Sequence, residues 1–125
     1  VVDFDAVRLA PSVVDLANAM VHFSIVSGRP NPVDWPDYLD QKKLILFLSG
    51  YLEVRDLQEN MIRAIPDLMI ESMITEAVLP VAATGFFGNL SGEEFLNMIR
   101  RKALWIKAHR RLLLAAMLQV VRQTE

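Results

Sequence analysis

Between Arg29 and Pro36 the chain reads Arg-Pro-Asn-Pro-Val-Asp-Trp-Pro, which places three of its six prolines within seven residues. Proline has no amide hydrogen and a fixed φ, so a helix cannot run through such a stretch. It is predicted to be an extended connector within one domain, not a domain boundary. On both sides apolar residues return at helical spacing. Val14, Ala17, Met20, Val21 and Ile25 recur before it, with Leu16 and Phe23 widening the face. Leu44, Phe47, Leu48 and Tyr51 follow it at i, i+3, i+4 and i+7. The expectation is one helix over roughly 12–27 and another over 37–52.

Asp56 is suited to cap a short helix over 56–64 that ends before Pro66. A wide apolar stripe over 66–84 then runs through Met69, Ile70, Met73, Ile74, Ala77, Val78 and Val81, with Pro80 kinking the last turn and Gly85-Phe86-Phe87-Gly88-Asn89 closing it. Ser91-Gly92-Glu93-Glu94 has the Ser-x-x-Glu form of a capping box. Beyond Gly92 there is neither Pro nor Gly, which predicts helix over 92–123. The apolar positions change phase between Lys107 and His109, which predicts a break or bend there.

With 53% hydrophobic residues in 125, the chain can build one sizeable core, which excludes disorder. A formal charge of -2 leaves no overall positive field to hold nucleic acid. The absence of cysteine removes disulfides, thiolate zinc sites and cysteine nucleophiles, and is compatible with the cytosol. Mean hydropathy is +0.28, yet the longest uncharged apolar runs, Ala77 to Gly88 and Leu112 to Val121, fall short of the roughly 20 residues a bilayer requires. The expectation is a soluble, cytoplasmic, mainly α chain with no membrane and no nucleic-acid partner.

Val1-Val2-Asp3-Phe4 is a short β-branched and aromatic run, read as a strand remnant over 1–5 whose partner strand is missing, and hence as part of something longer. Asp3 at the end of such a strand can project into a cleft and bind a hard cation such as Mg²⁺, or it can stabilise a turn. Asp15, three residues after Ser12, reads as a helix cap.

The phrase as a whole is more specific. Val1-Val2-Asp3-Phe4-Asp5, then Arg8, Pro11 and Asp15-Leu16-Ala17-Asn18-Ala19, resembles the segment after the catalytic loop in the aminoglycoside, choline and homoserine kinase-like phosphotransferases. In those enzymes a strand-borne Asp-Phe-Asp or Asp-Phe-Glu precedes an Asp-Leu-Ala helix. Phe47-Leu48-Ser49-Gly50-Tyr51 also resembles their Phe-x-x-Gly-Tyr helix. The first match spans about nineteen residues, the second five, and the rest agrees in helical character alone.

The resemblance implies the helical C-terminal subdomain of a protein-kinase-like fold. Asp3 would match the aspartate that holds Mg²⁺ against the phosphates of ATP. Asp15 would brace the catalytic loop, with Asp5 assisting, and Asn18 matches a common family residue that reads first as a polar contact facing another helix. The family also needs a nucleotide-binding lobe with its lysine and a His-Gly-Asp-x-x-x-x-Asn-like loop carrying the base. Neither occurs in this sequence, so both are expected upstream of Val1, with an N-terminal kinase lobe as partner. This chain alone is expected to be inactive, to hold neither ATP nor Mg²⁺ tightly, and to contribute part of the pocket for a small hydroxyl-bearing substrate. The alternative is a standalone helical module for self-association or protein interaction, without catalysis.

Other residues carry less. Arg100, Arg101, Lys102, Lys107, Arg110 and Arg111 read as a solvated face suited to a helix C-terminal half, or as a surface for an acidic partner. His22 and His109 lack metal-type companions at i±4, and His22 reads as half-buried packing. Glu71, Ser72, Thr75 and Glu76 form a narrow polar face that meets water or lines a cleft. The six methionines, spread over several helices, suit core filling. Uncovered apolar surface predicts a homo-oligomer when the chain is isolated, through the Val1 to Phe4 edge and faces carrying Phe47 or the Met69 to Val81 stripe.

Overall fold

Apolar stripes at helical spacing are buried against one another in a bundle whose central element is the third helix. The computed structural model describes residues 2–124, with side chains from Val13 to Gln123. Among the described residues the helices are α1 (Val2–Ser24), α2 (Gln41–Val54), α3 (Glu59–Thr84), α4 (Gly92–Ala108) and α5 (Arg110–Thr124). A 3₁₀ turn covers Pro32–Asp34, and a hairpin pairs β1 (Phe86–Phe87) with β2 (Leu90–Ser91). Helix α3 packs on α1, α4 and α5, while α2 packs on α1 and α5. This is a mainly α chain.

The core is formed by Met20 and Val21 of α1, Leu44 and Leu48 of α2, Ile62, Ile65 and Met69 of α3, Ile106 of α4, and Leu113 and Met117 of α5. Each such side chain contributes about 1.5–3 kcal/mol by leaving water. A smaller cluster of Ala77, Phe95 and Met98 closes the far end of α3 against α4.

Four boundaries differ from the sequence expectations, the simplest being that α3 starts at Glu59 after Gln58, so Asp56 does not cap it. The strand remnant over 1–5 is not formed: Val1 lies outside the described residues, and Val2 to Asp5 belong to α1. The helical repeat of Val13, Leu16, Ala17 and Met20 continues backward through Leu9 and Ala6, and the described residues offer no neighbouring strand to hold an extended segment. The break expected before Pro66 is also absent, and α3 is continuous through Pro66 and Pro80. Each proline removes one i to i-4 hydrogen bond, but Pro66 is buried between α3's neighbours, and packing outweighs the local preference. Helix α2 begins at Gln41, where Asp40 Oδ1 accepts from the Lys43 amide at 3.2 Å, and not at 37.

Two local signals appear as read. Ser91 caps α4, its hydroxyl accepting from the Glu94 amide at 3.2 Å and donating to Glu94 Oε1 at 3.1 Å. The final helical stretch breaks at His109, whose amide turns back to the Trp105 carbonyl at 3.0 Å.

The turn between the hairpin strands has positive φ at Gly88 (+58°) and not at Asn89, as a type II′ turn requires. Gly92 is needed for a different reason. Its amide donates to the Gly85 carbonyl at 2.7 Å, and a Cβ there would lie 2.6 Å from Val81 Cγ1 and 2.9 Å from the Gly85 oxygen. This contact seats the hairpin on the end of α3.

Candidate functional site

The proline-rich connector becomes one wall of a cleft. Its ends are joined by a bridge between Ile25 and Leu39 and by the Asp40 amide donating to the Ser24 carbonyl at 2.7 Å. Inside it, Asn31 Oδ1 caps the 3₁₀ turn, and the Trp35 indole donates to the Arg29 carbonyl at 2.8 Å. Two successive cations of α4 fasten the connector from outside. Arg101 pairs with Asp37 at 3.1 Å and donates to the Val33 carbonyl at 3.2 Å, and Lys102 Nζ donates to the Pro36 carbonyl at 2.7 Å.

Facing this wall is the hairpin, where Phe87 stacks on Phe95 with ring centroids 3.9 Å apart and planes 2° from parallel. Met73 and Ala77 of α3 and Met98 of α4 lie between the two walls. The cleft between them, open to solvent along one side, has a volume of about 840 Å³ and a mostly apolar lining.

Four charged or titratable side chains line it: His22, Glu76, Glu94 and Lys102. His22 Nε2 lies 2.7 Å from Glu76 Oε2, and their side chains are 53% and 49% exposed. A carboxylate accepts only, so Nε2 is the ring nitrogen that carries a hydrogen toward it. Lys102 is 1% exposed. Burial pushes its ammonium pKa below the ordinary lysine value; Asp37 opposes that shift, and Arg101 adds to it.

The sequence reading of these residues needs three corrections. Lys102 does not belong to a solvated basic face, because its position on α4 turns it toward the connector. His22 is about half-exposed and paired with Glu76 rather than serving as packing. Glu76 lines the cleft, whereas Glu71 and Thr75 meet water. His22 and Glu76 are 54 residues apart, and no local motif links them. The one available hint was that each sits at a polar position on an otherwise apolar helix.

Of the resemblance-based residues, Asp15 and Asn18 are not among those that line this cleft. Asp3 and Asp5 lie on α1, and their side chains are outside the described part. Asp15 is exposed. Asn18 is half-buried and accepts from the Ser72 hydroxyl at 2.6 Å, tying α1 to α3. Among the described residues no group of three His, Asp or Glu side chains is placed to hold a metal. No described helix is long and apolar enough to cross a membrane.

Comparison with known proteins finds no matching protein family, curated protein or solved structure.

Proposed function

We propose that this chain is the C-terminal helical part of an ATP-dependent phosphotransferase acting on a small hydroxyl-bearing acceptor, and that the cleft between connector and hairpin receives the acceptor. The observation that carries this reading is the cleft itself. Its volume of about 840 Å³ falls in the range of small-molecule sites, and it has an apolar lining with a few polar groups. In this reading Asp3 ligates Mg²⁺, Asp15 braces the catalytic loop with Asp5 assisting, Asn18 is a polar contact between helices, and the base comes from residues encoded before Val1. Magnesium would offset charge on the transferring phosphoryl group. The reading requires Val2 to Asp5 to leave α1 and extend against strands supplied by that upstream segment, which brings Asp3 and Asp5 onto one side of the chain.

The test is to express the whole open reading frame and assay Mg²⁺-dependent transfer from ATP to a panel of alcohols. Asp3→Asn is expected to abolish transfer while leaving the melting temperature within a few degrees. An active Asp3→Asn enzyme, or a frame without a His-Gly-Asp-x-x-x-x-Asn-like loop, overturns the reading.

A second reading, a self-association module, is favoured by one observation. Ile74, Val78, Leu79 and Leu104 are exposed on α3 and α4, where a shallow apolar groove runs between Ile70, Leu96 and Ala103. Sedimentation of the chain with and without Leu79→Lys and Leu104→Lys separates the two: loss of a dimer on substitution supports the module, and a monomer throughout removes it.

A further inference from the structure

Of the four charged or titratable side chains that line the cleft, two are already committed to the fold. Lys102 Nζ is held by the Pro36 carbonyl, and Glu94 closes the capping box with the Ser91 hydroxyl. A ligand that needed either would have to compete with a bond that fastens a wall. The other two, His22 and Glu76, are half-exposed and bonded to each other through one nitrogen and one oxygen. The second Glu76 oxygen is left as an acceptor. Elsewhere the cleft offers ring faces and thioethers: Trp35 on the connector, the parallel Phe87–Phe95 pair at the hairpin, and Met98 beside them. Flat apolar rings gain most from such surfaces, by area and by offset stacking, and methionine adapts to their edges.

We propose that the cleft binds a planar, largely apolar molecule carrying one hydroxyl, its rings against Trp35 and the Phe87–Phe95 pair and its hydroxyl donating to the His22–Glu76 pair. The inference deepens the acceptor-pocket reading, on which it rests, by naming the acceptor as an aromatic or polycyclic alcohol rather than a polyol or an amino alcohol. The hydroxyl gains a charge-assisted bond at the rim while the rings leave water, so both parts of the molecule contribute.

Calorimetric titration of the chain with 2-naphthol, naphthalene, glucose and choline tests it. 2-Naphthol is expected to bind about tenfold or more tighter than naphthalene, the worth of one hydrogen bond to a charged acceptor. Glucose and choline are expected to give no heat. The double variant His22→Ala, Glu76→Ala should bring 2-naphthol to the naphthalene level, and Phe87→Ala should weaken both aromatics together. The rim and hairpin side chains are exposed, and circular dichroism verifies that each variant folds. Equal affinity for the two aromatics, preferential binding of choline or glucose, or no binding at all overturns the inference. The outcomes also separate it from the phosphotransferase reading. Naphthol binding without transfer activity in the whole protein keeps the site and sinks the kinase, whereas transfer to polyols without naphthol binding does the reverse.

Discussion

Lys102 holds Pro36: its ammonium donates to the Pro36 carbonyl at 2.7 Å from a side chain that is 1% exposed. A buried cation on α4 thereby fixes a proline connector that has little regular hydrogen bonding of its own. Beside it, Arg101 takes Asp37 and the Val33 carbonyl. The cost of burying the charge and the gain from ordering the wall meet in one residue.

That residue makes stability depend on pH in a defined direction. In the unfolded chain Lys102 keeps its proton up to about pH 10.5, and in the folded protein burial makes it lose the proton earlier. Between the two values the unfolded state binds more protons, so this contribution to stability rises with pH across the window and is lost as pH falls through the folded value. Urea denaturation of the wild type and Lys102→Met at about pH 7 and about pH 10.5 should show the difference between them shifting toward the wild type at the higher pH. A difference independent of pH would mean that Lys102 titrates alike in both states.

Gly92→Ala should destabilise the hairpin junction by about 1–3 kcal/mol, because the added carbon meets both a side chain and a backbone oxygen. Pairing it with Val81→Ala removes the clash with Cγ1 but not the 2.9 Å approach to the Gly85 oxygen, so recovery of the melting temperature should be partial. Full stability of Gly92→Ala alone would contradict the close contact.

The bond between the Ser72 hydroxyl and Asn18 lies between two helices and is half-buried. Asn18→Leu leaves that hydroxyl without its acceptor and should cost about 1–3 kcal/mol, part of which returns in the double variant with Ser72→Ala. Strict additivity in a thermal-melt cycle would show that the two side chains do not interact.

Arg101→Ala should change global stability by less than about 1 kcal/mol, since its ion pair is half-exposed. Locally the effect should be larger: amide exchange at Asp34 and Trp35, whose bonds lie within the connector, should quicken while exchange in α3 stays unchanged. Uniform exchange rates across the two proteins would show that the clamp does not order the wall.

The parts of the fold that were readable share one property: their cause is local. The Ser91 box and the phase change at His109 are settled by residues within one or two turns, and the proline stretch by its own chemistry. Where distant packing decides, the reading failed. Pro66 stays inside α3 because its surroundings bury it, and Val2 to Asp5 continue α1 because nothing extended lies alongside. The cleft was the least legible feature. Lys102 looked like one more cation in a basic run, and the His22–Glu76 pair joins two helices across 54 residues. The Asp3 and Asp15 pattern, by contrast, was conspicuous in the sequence, but the side chain of Asp3 lies outside the described part and Asp15 is exposed in the middle of α1.

The clamp joins partners 64 to 68 residues apart in the chain. On a ribosome adding about 5–20 residues per second, the connector is complete for several seconds or longer before its anchors are even made. During that interval Trp35 and the neighbouring prolines lack the α4 cations that hold them, and the apolar face of α1 lacks its α3 partner until residues 59–84 are made. The nascent chain therefore presents the connector wall of the cleft first and encloses it late. Chaperone contact during synthesis is expected to concentrate on the first half of the sequence and to end as α4 emerges.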